Sequence, residues 1–139
     1  MAATLVYDHK TMSTGVKALD DEHKTLIANL NILVTAMEQG QGAEVCRQAL
    51  AKVKTYTVNH FAHEEKCMVQ FQCPVGQLNV DAHKLFVKSV LDFEAVLNSK
   101  GPSQLLAAQL SGQIMGWLRT HILTTDTKLR ACVPVGTIG

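Results

Sequence analysis

Apolar residues recur at helical spacing in four long segments of the chain. Within residues 20–39, leucine, isoleucine, valine and methionine stand at positions i, i+3, i+4 and i+7, the pattern of a helix with one buried face. Residues 43–72, 77–98 and 103 to about 123 repeat this pattern. No stretch alternates apolar and polar residues for long enough to predict a strand. The chain is therefore predicted to be all-α.

Short connections between these segments limit how the helices can pack. Turn signals occur at Gly40–Gly42, Cys73–Gly76 and Ser99–Pro102, so the connections are only three or four residues long. Such connections force successive helices to run antiparallel. We predict a single domain, residues 1–139, containing an up-down-up-down antiparallel four-helix bundle over about residues 19–132. An N-terminal arm precedes the bundle, and a short C-terminal helix leads into a non-helical tail that begins at Val133.

Composition and charge exclude several classes of partner. Apolar residues make up 47% of the chain, which is typical of a globular domain. The net charge is +1 and the basic residues are not clustered, so nucleic acid and anionic membrane surfaces are not expected partners. No run reaches the roughly 18 apolar residues of a membrane span, and the N-terminus does not resemble a secretion signal. These features predict a cytoplasmic protein, expected to be a monomer.

The four cysteines form no close pair along the chain. Cys46, Cys67, Cys73 and Cys132 contain no C-x-x-C spacing, and most fall at apolar helix positions. A free cysteine at such a position behaves as a small hydrophobic residue. We therefore predict reduced thiols rather than disulfides.

His60 and Glu64 interrupt the apolar stripe of the second segment. Residues four apart on a helix differ by only about 40° in direction, so both side chains face the same patch of core. Burial of an unpaired carboxylate costs roughly several kcal/mol, and no lysine or arginine shares the stripe. The simplest source of the missing positive charge is a metal ion.

Histidines lie on the corresponding stripes of the other three segments. Any one of His23, His83 and His121 alone is more often a core histidine bonded to a backbone carbonyl. Four helices that each direct a histidine inward, together with a carboxylate, instead predict a metal site in the bundle core. His63 points about 60° away from His60 and is predicted to be solvated or to support the site from outside.

Asp126 is open to two interpretations. It follows His121 by five residues and would point about 140° away from it on an unbroken helix. Thr124 and Thr125 are good helix-start residues, so a bend could return the Asp126 carboxylate to the core. Alternatively, Asp126 is only the N-cap of the last helix, and the spacing does not decide between these possibilities.

The proposed ligand types restrict the metal and exclude two common kinds of site. Histidines with carboxylates favour iron, manganese or zinc over copper(I) or an iron–sulfur cluster. The segment from His63 to Cys67 begins like the zinc-protease motif H-E-x-x-H but ends in cysteine. No Glu-x-x-His pair occurs in the chain, which argues against the ferritin-like di-iron carboxylate proteins.

The ordered series H…HxxxE…H…HxxxxD resembles the bacterial hemerythrins. The resemblance extends from about Tyr7 to Arg130 and implies a bundle with a non-haem di-iron centre that binds O2 reversibly. The implied cofactors are two iron ions, as Fe2+ or Fe3+, with a bridging oxo or hydroxo group. The segments that carry the resemblance are Asp20–Lys24, His60–Glu65, Ala82–Phe86 and Trp117–Ile122, followed by Asp126.

The resemblance assigns ligand roles by position. One pair of residues would hold the iron that receives O2, a second pair would bridge the two irons, and a third would belong to the second iron. These pairs are His23 and His60, Glu64 and Asp126, and His83 and His121.

Asn79 departs from the family pattern. The family has a further histidine four residues before His83, where this chain has Asn79. An amide oxygen is a neutral donor on a shorter side chain than histidine. Asn79 would therefore ligate the second iron weakly, or leave that position open to water.

Three functions are compatible with these features. The resemblance implies an O2 carrier, store or scavenger rather than an enzyme, with O2 or small anions as ligands. The altered position at Asn79 favours an alternative, a di-iron site that reacts with peroxide or nitric oxide. A third possibility is an O2 or redox sensor domain excised from a longer protein.

Overall fold

A computed structural model describes residues 4–133 of the chain. Within this range the backbone is helical apart from short connections, and it contains no strand. The helical elements are α1 (His9–Met12), α2 (Lys17–Glu38), α3 (Ala43–Gln70), α4 (Gly76–Lys100), α5 (Gln104–Gln109), a π-helical segment (Leu110–Met115), α6 (Gly116–Thr124) and a 3₁₀ helix (Asp126–Ala131).

The long helices form an antiparallel four-helix bundle, which confirms the predicted fold class. Helix α2 packs along α3, and α3 packs along α4. The stretch from α5 to α6 is the fourth helix; it contacts both α2 and α4 and so closes the bundle. Gly40 and Gly101 follow α2 and α4 with φ values of +72° and +77°. Glycine adopts this left-handed conformation without steric cost, which lets the chain reverse in a short connection.

The fourth helix differs from the continuous helix predicted over residues 103 to about 123. Its centre is the π-helical segment, which contains Gly112 and directly precedes Gly116. A π turn accommodates an extra residue, and apolar periodicity does not indicate where such a turn occurs. Helix α6 nevertheless keeps Leu118, His121 and Ile122 buried, so the segment does not displace His121 from the interior.

The N-terminal arm is fastened to α2 by one buried carboxylate. Asp20, which is 4% exposed, accepts hydrogen bonds from the Ser13 hydroxyl at 2.7 Å and from the backbone N–H and hydroxyl of Thr14, both at 2.8 Å. Burial of this charge is compatible with folding because three donors satisfy it. Ser13 and Thr14 directly follow the short helix α1, so these hydrogen bonds hold the arm and α1 against the bundle.

Cys73 and Cys132 form a disulfide, so the prediction of reduced thiols is wrong for this pair. Their Cα atoms are 5.6 Å apart although 59 positions separate them in the sequence. The pairing depends on how the α3–α4 turn meets the end of the 3₁₀ helix, which residue spacing does not reveal. Cys46 and Cys67 are free and buried, as predicted for small apolar residues.

The sequence predicts a non-helical C-terminal tail and no membrane-spanning helix. The predicted non-helical tail begins at Val133, and residues 134–139 lie outside the described residues. Among the described helices, none has the length and apolar character needed to cross a membrane.

Candidate metal centre

Six titratable side chains predicted as ligands meet inside the bundle. Each is at most 5% exposed. Five separate helical elements contribute them, because the stripe of each helix faces the same interior space. They are His23 on α2, His60 and Glu64 on α3, His83 on α4, His121 on α6 and Asp126 at the start of the 3₁₀ helix.

Glu64 presents one carboxylate oxygen to each side of this space. Its Oε2 lies 3.3 Å from His23 Nε2 and 3.2 Å from His60 Nε2. Its Oε1 lies 3.0 Å from His83 Nε2. The carboxylate therefore stands between one pair of histidines and a histidine of the second pair.

Asp126 has the same two-sided arrangement. Its Oδ2 lies 3.0 Å from His23 Nε2, and its Oδ1 lies 3.1 Å from His121 Nε2. Helix α6 ends at Thr124 and the 3₁₀ helix begins at Asp126, so the bend returns the carboxylate to the core. Of the two interpretations left open by the sequence, the arrangement matches a carboxylate directed to the site, because Thr125 occupies the N-cap position.

The six residues form two overlapping groups of potential ligands. In each group the ligand atoms lie within 4.8 Å of one another. Glu64 and Asp126 belong to both groups, and each group adds two histidines. The first group contains His23 and His60, and the second contains His83 and His121.

Unsatisfied polar atoms at the centre are consistent with cation binding. Several buried atoms of the first group form no hydrogen bond of good geometry within residues 4–133, although most lie 3.0–3.3 Å from a polar atom of another ligand. They are both ring nitrogens of His23, His60 Nε2, Glu64 Oε2 and Asp126 Oδ1. Buried polar atoms usually have a partner, and a metal ion would provide one. Imidazole nitrogens and carboxylate oxygens suit iron, manganese or zinc, so the residues present fit the cations expected from the sequence.

The electrostatics of the centre favour positive charge. Burial by itself would lower the pKa of His60, but the Glu64 carboxylate, with Glu22 and Asp126, raises this pKa to about 10. Burial would likewise raise the pKa of Glu64, yet His60, His23 and His83 hold it well below its usual range. The space between the carboxylates and imidazoles therefore stabilises a cation despite its burial.

Two glutamates outside the centre orient its histidines. Glu22 accepts hydrogen bonds from His60 Nδ1 at 2.8 Å and from His63 Nδ1 at 2.7 Å. Glu65 accepts one from His83 Nδ1 at 2.7 Å. These bonds direct the Nε2 atoms of His60 and His83 toward the centre, an arrangement common around metal-bound histidines. His63 thus supports the site through Glu22.

The sequence pattern does not indicate a supporting role for either glutamate. The available signal was position, since Glu22 directly precedes His23 and Glu65 directly follows Glu64. Acidic residues are common on exposed helix faces, so adjacency to a ligand did not distinguish them. Each glutamate orients a histidine of the adjacent helix, and the sequence does not show which histidine lies opposite it.

Asn79 lies fully buried beside the second group. Its Oδ1 is 2.7 Å from His121 Nε2, and its Nδ2 donates to Glu64 Oε1 at 3.0 Å. The same amide nitrogen lies 3.2 Å from Met68 Sδ. The N-x-x-x-H spacing therefore does place Asn79 on the same helix face as His83, with its amide oxygen toward the second group.

Aromatic rings wall the second group. The Phe61 ring stacks on His83 with a centroid distance of 3.7 Å, and the Trp117 ring stacks on His121 at 4.6 Å. Phe86 contacts both Phe61 and Trp117 edge to face. This wall restricts rotation of the two imidazoles and limits the access of water to that side of the centre.

Glu22→Gln is expected to weaken metal binding at the first group about tenfold, because a neutral amide holds the His60 ring less firmly. Competition with a chelator for the bound metal would measure the change. Glu44→Gln, on the exposed surface of α3, makes the same change of charge away from the centre and should have no effect. Equal metal affinity in the two variants would show that Glu22 does not position His60.

Comparisons with known proteins show the family of this chain. A profile of the hemerythrin HHE cation binding domain matches residues 14–133. Bacteriohemerythrins of Pseudomonas paraeruginosa and Stenotrophomonas maltophilia are 25% and 27% identical over 115 residues, which span 83% of this chain and 72% of each relative. A crystal structure of wild-type hemerythrin superposes with a TM-score of 0.80 at 22% identity, covering 94% of this chain and 98% of that one. The chain belongs to the hemerythrin family of cation-binding domains.

Proposed function

We propose that this protein is a non-haem di-iron protein that binds O2 reversibly, as a carrier, store or scavenger of O2. The observation that carries the proposal is the two-sided placement of the carboxylates. Glu64 and Asp126 each direct one oxygen to the first histidine group and the other to the second. Two ions held side by side need shared ligands of this kind.

Each group of residues would hold one iron. His23 and His60 would bind the iron that receives O2, while His83 and His121 would bind the other. Glu64 and Asp126 would bridge the ions, together with a solvent-derived oxo or hydroxo group. The bound irons would supply electrons to O2 and recover them when it leaves.

The surrounding residues favour reversible binding over loss of electrons to solvent. Glu22 and Glu65 hold the His60 and His83 rings in place, so little rearrangement is needed when a ligand enters. The apolar wall that includes Phe61 and Trp117 limits access of water and protons to the centre. Restricted access of protons and water would slow irreversible oxidation of the bound irons.

Asn79 favours a second candidate function, the turnover of peroxide or nitric oxide. Its amide oxygen lies at the second group, where the family has an imidazole, and is the weaker donor of the two. A weakly held position on the second iron would admit water or a small anion. Reactions could then take place at both irons rather than one.

Exposure of the anaerobically reduced, iron-loaded protein to O2 would test the proposal. We expect about two irons per chain and a visible absorption band that appears with O2 and disappears when O2 is removed. Irreversible oxidation on first exposure would contradict the carrier function and support the second candidate. A metal content near one iron per chain would contradict the di-iron centre.

A further inference from the structure

The Cys73–Cys132 disulfide lies at the end of the bundle that supplies Asp126 to the centre. Cys73 is in the turn between α3 and α4, and Cys132 directly follows the 3₁₀ helix that begins at Asp126. The bond therefore ties the element that carries one shared carboxylate to the helix pair that carries the other, Glu64. Nothing in the hemerythrin ligand pattern requires this covalent link.

The Asp126 carboxylate depends on its backbone for position. Among the described residues, its Oδ1 forms no hydrogen bond of good geometry. The ring nitrogens near the carboxylate are His121 Nε2, 3.1 Å from Oδ1, and His23 Nε2, 3.0 Å from Oδ2. The 3₁₀ helix that carries it is six residues long, and 3₁₀ hydrogen bonds have poorer geometry than those of an α-helix. The position of the Asp126 carboxylate therefore depends on the contacts that hold the other end of this 3₁₀ helix, near Ala131.

Two anchors are present at that end. The Leu129 side chain is fully buried in a small apolar cluster with Val16, Leu19 and Met68. The second anchor is the disulfide, whose cysteines belong to or pack against the same cluster. The Cys132 N–H also bonds to the Leu129 carbonyl at 2.9 Å, so the disulfide and the apolar anchor act on the same turn.

We propose that the Cys73–Cys132 disulfide is a redox-controlled clamp that keeps Asp126 at the metal centre, so that its reduction speeds the release of bound metal. The clamp rests on the proposed function in one respect, namely that the centre binds metal. Cys73 and Cys132 are not metal ligands, but in this proposal their disulfide helps the centre to retain metal.

The chemistry of the switch is thiol–disulfide exchange with a dithiol reductant. A thiolate of the reductant attacks one sulfur and forms a mixed disulfide, and the other cysteine leaves as a thiolate that takes up a proton. The second thiolate of the reductant then attacks the reductant's own sulfur in the mixed disulfide and releases the first cysteine, which is also protonated. Both cysteines finish as thiols, and the reductant finishes as a disulfide. Cys132 is partly exposed whereas Cys73 is buried, so we expect the reductant to attack the Cys132 sulfur first.

Iron release from the loaded protein tests the clamp. The protein is loaded anaerobically with Fe2+, and transfer of iron to a coloured chelator is timed before and after reduction by a phosphine. The phosphine reduces the disulfide to two thiols and becomes a phosphine oxide with the oxygen of water. Titration of the unfolded protein should count two free thiols before reduction and four afterwards, since Cys46 and Cys67 are free throughout.

We expect release to be about tenfold faster after reduction, the scale on which outer supports affect metal sites. Cys132→Ser should match the reduced protein without any reductant and should not respond to reduction. Cys46→Ser, which removes a free thiol and keeps the disulfide, should release iron at the wild-type rate before reduction and speed up by the same factor after it. Circular dichroism at the assay temperature identifies the variants that are folded, and only those are compared.

The outcomes separate the clamp from the proposed function. Iron-loaded wild-type protein that releases iron at equal rates before and after reduction would overturn the clamp alone. An acceleration by the phosphine in Cys132→Ser would also overturn it, since that variant has no disulfide to reduce. Wild-type protein that binds no iron in its oxidised form would overturn the proposed function and the clamp with it.

Discussion

Glu64→Gln is expected to remove both metals from the centre. Glu64 is the only carboxylate on the four long helices of the described bundle that faces both histidine groups, through Oε2 on one side and Oε1 on the other. Glutamine keeps the shape of the side chain but offers one neutral oxygen instead of a shared negative charge. The loss of affinity should exceed the roughly 10–100-fold cost of losing an outer support.

The metal content of purified protein, followed by titration with Fe2+, would measure this effect. Glu65→Gln is the matched control because it makes the same change one residue away, where the carboxylate contacts only the outer nitrogen of His83. We expect that control to keep two metals with weakened binding at the second group. Retention of two tightly bound irons by Glu64→Gln would contradict the bridging role of Glu64.

Asn79→His is expected to strengthen binding of the second metal about tenfold, which corresponds to about 1.4 kcal/mol. An imidazole is a better donor than an amide oxygen, and it reaches further from the helix. In the structure the Asn79 oxygen already lies 2.7 Å from His121 Nε2, so a side chain from this position is directed to the second group. We also expect slower irreversible oxidation of the reduced protein in O2.

A series at this position separates donor strength from packing. Retention of the second metal should increase in the order Asn79→Ala, wild type, Asn79→His, while the first metal changes little. Two-phase release of iron to a chelator would resolve the two sites, and the rate of loss of the O2-dependent visible band would follow oxidation. If the histidine variant matches wild type in both measurements, Asn79 does not set the properties of the second site.

Features governed by spacing within one helix could be predicted from the sequence. Apolar periodicity predicted four helices, and the short turns predicted their antiparallel order. His60 and Glu64 were recognised because an i, i+4 pair must share a helix face whatever the neighbouring helices do. All four apolar stripes must face one core. His23, His83 and His121 lie on those stripes, so they were expected to meet His60 and Glu64 there.

Features governed by contacts between distant residues required the tertiary structure. Glu22 and His60 are 38 positions apart, and Cys73 and Cys132 are 59 apart. Whether such residues touch depends on the rotation and offset of packed helices, to which apolar patterning is insensitive. The direction of Asp126 likewise depends on how sharply the chain bends after α6.

The sequence by itself determined the all-α bundle and the inward direction of the four histidines and of Glu64, because helical geometry converts spacing directly into direction. The family resemblance already implied how the ligands divide between two metals, whereas the tertiary structure alone decided the direction of Asp126, which carboxylate oxygen faces which group, and which glutamates and cysteines support them. These relations are differences of a few ångströms between separate helices. They result from side-chain packing across the whole core, and no local spacing encodes them.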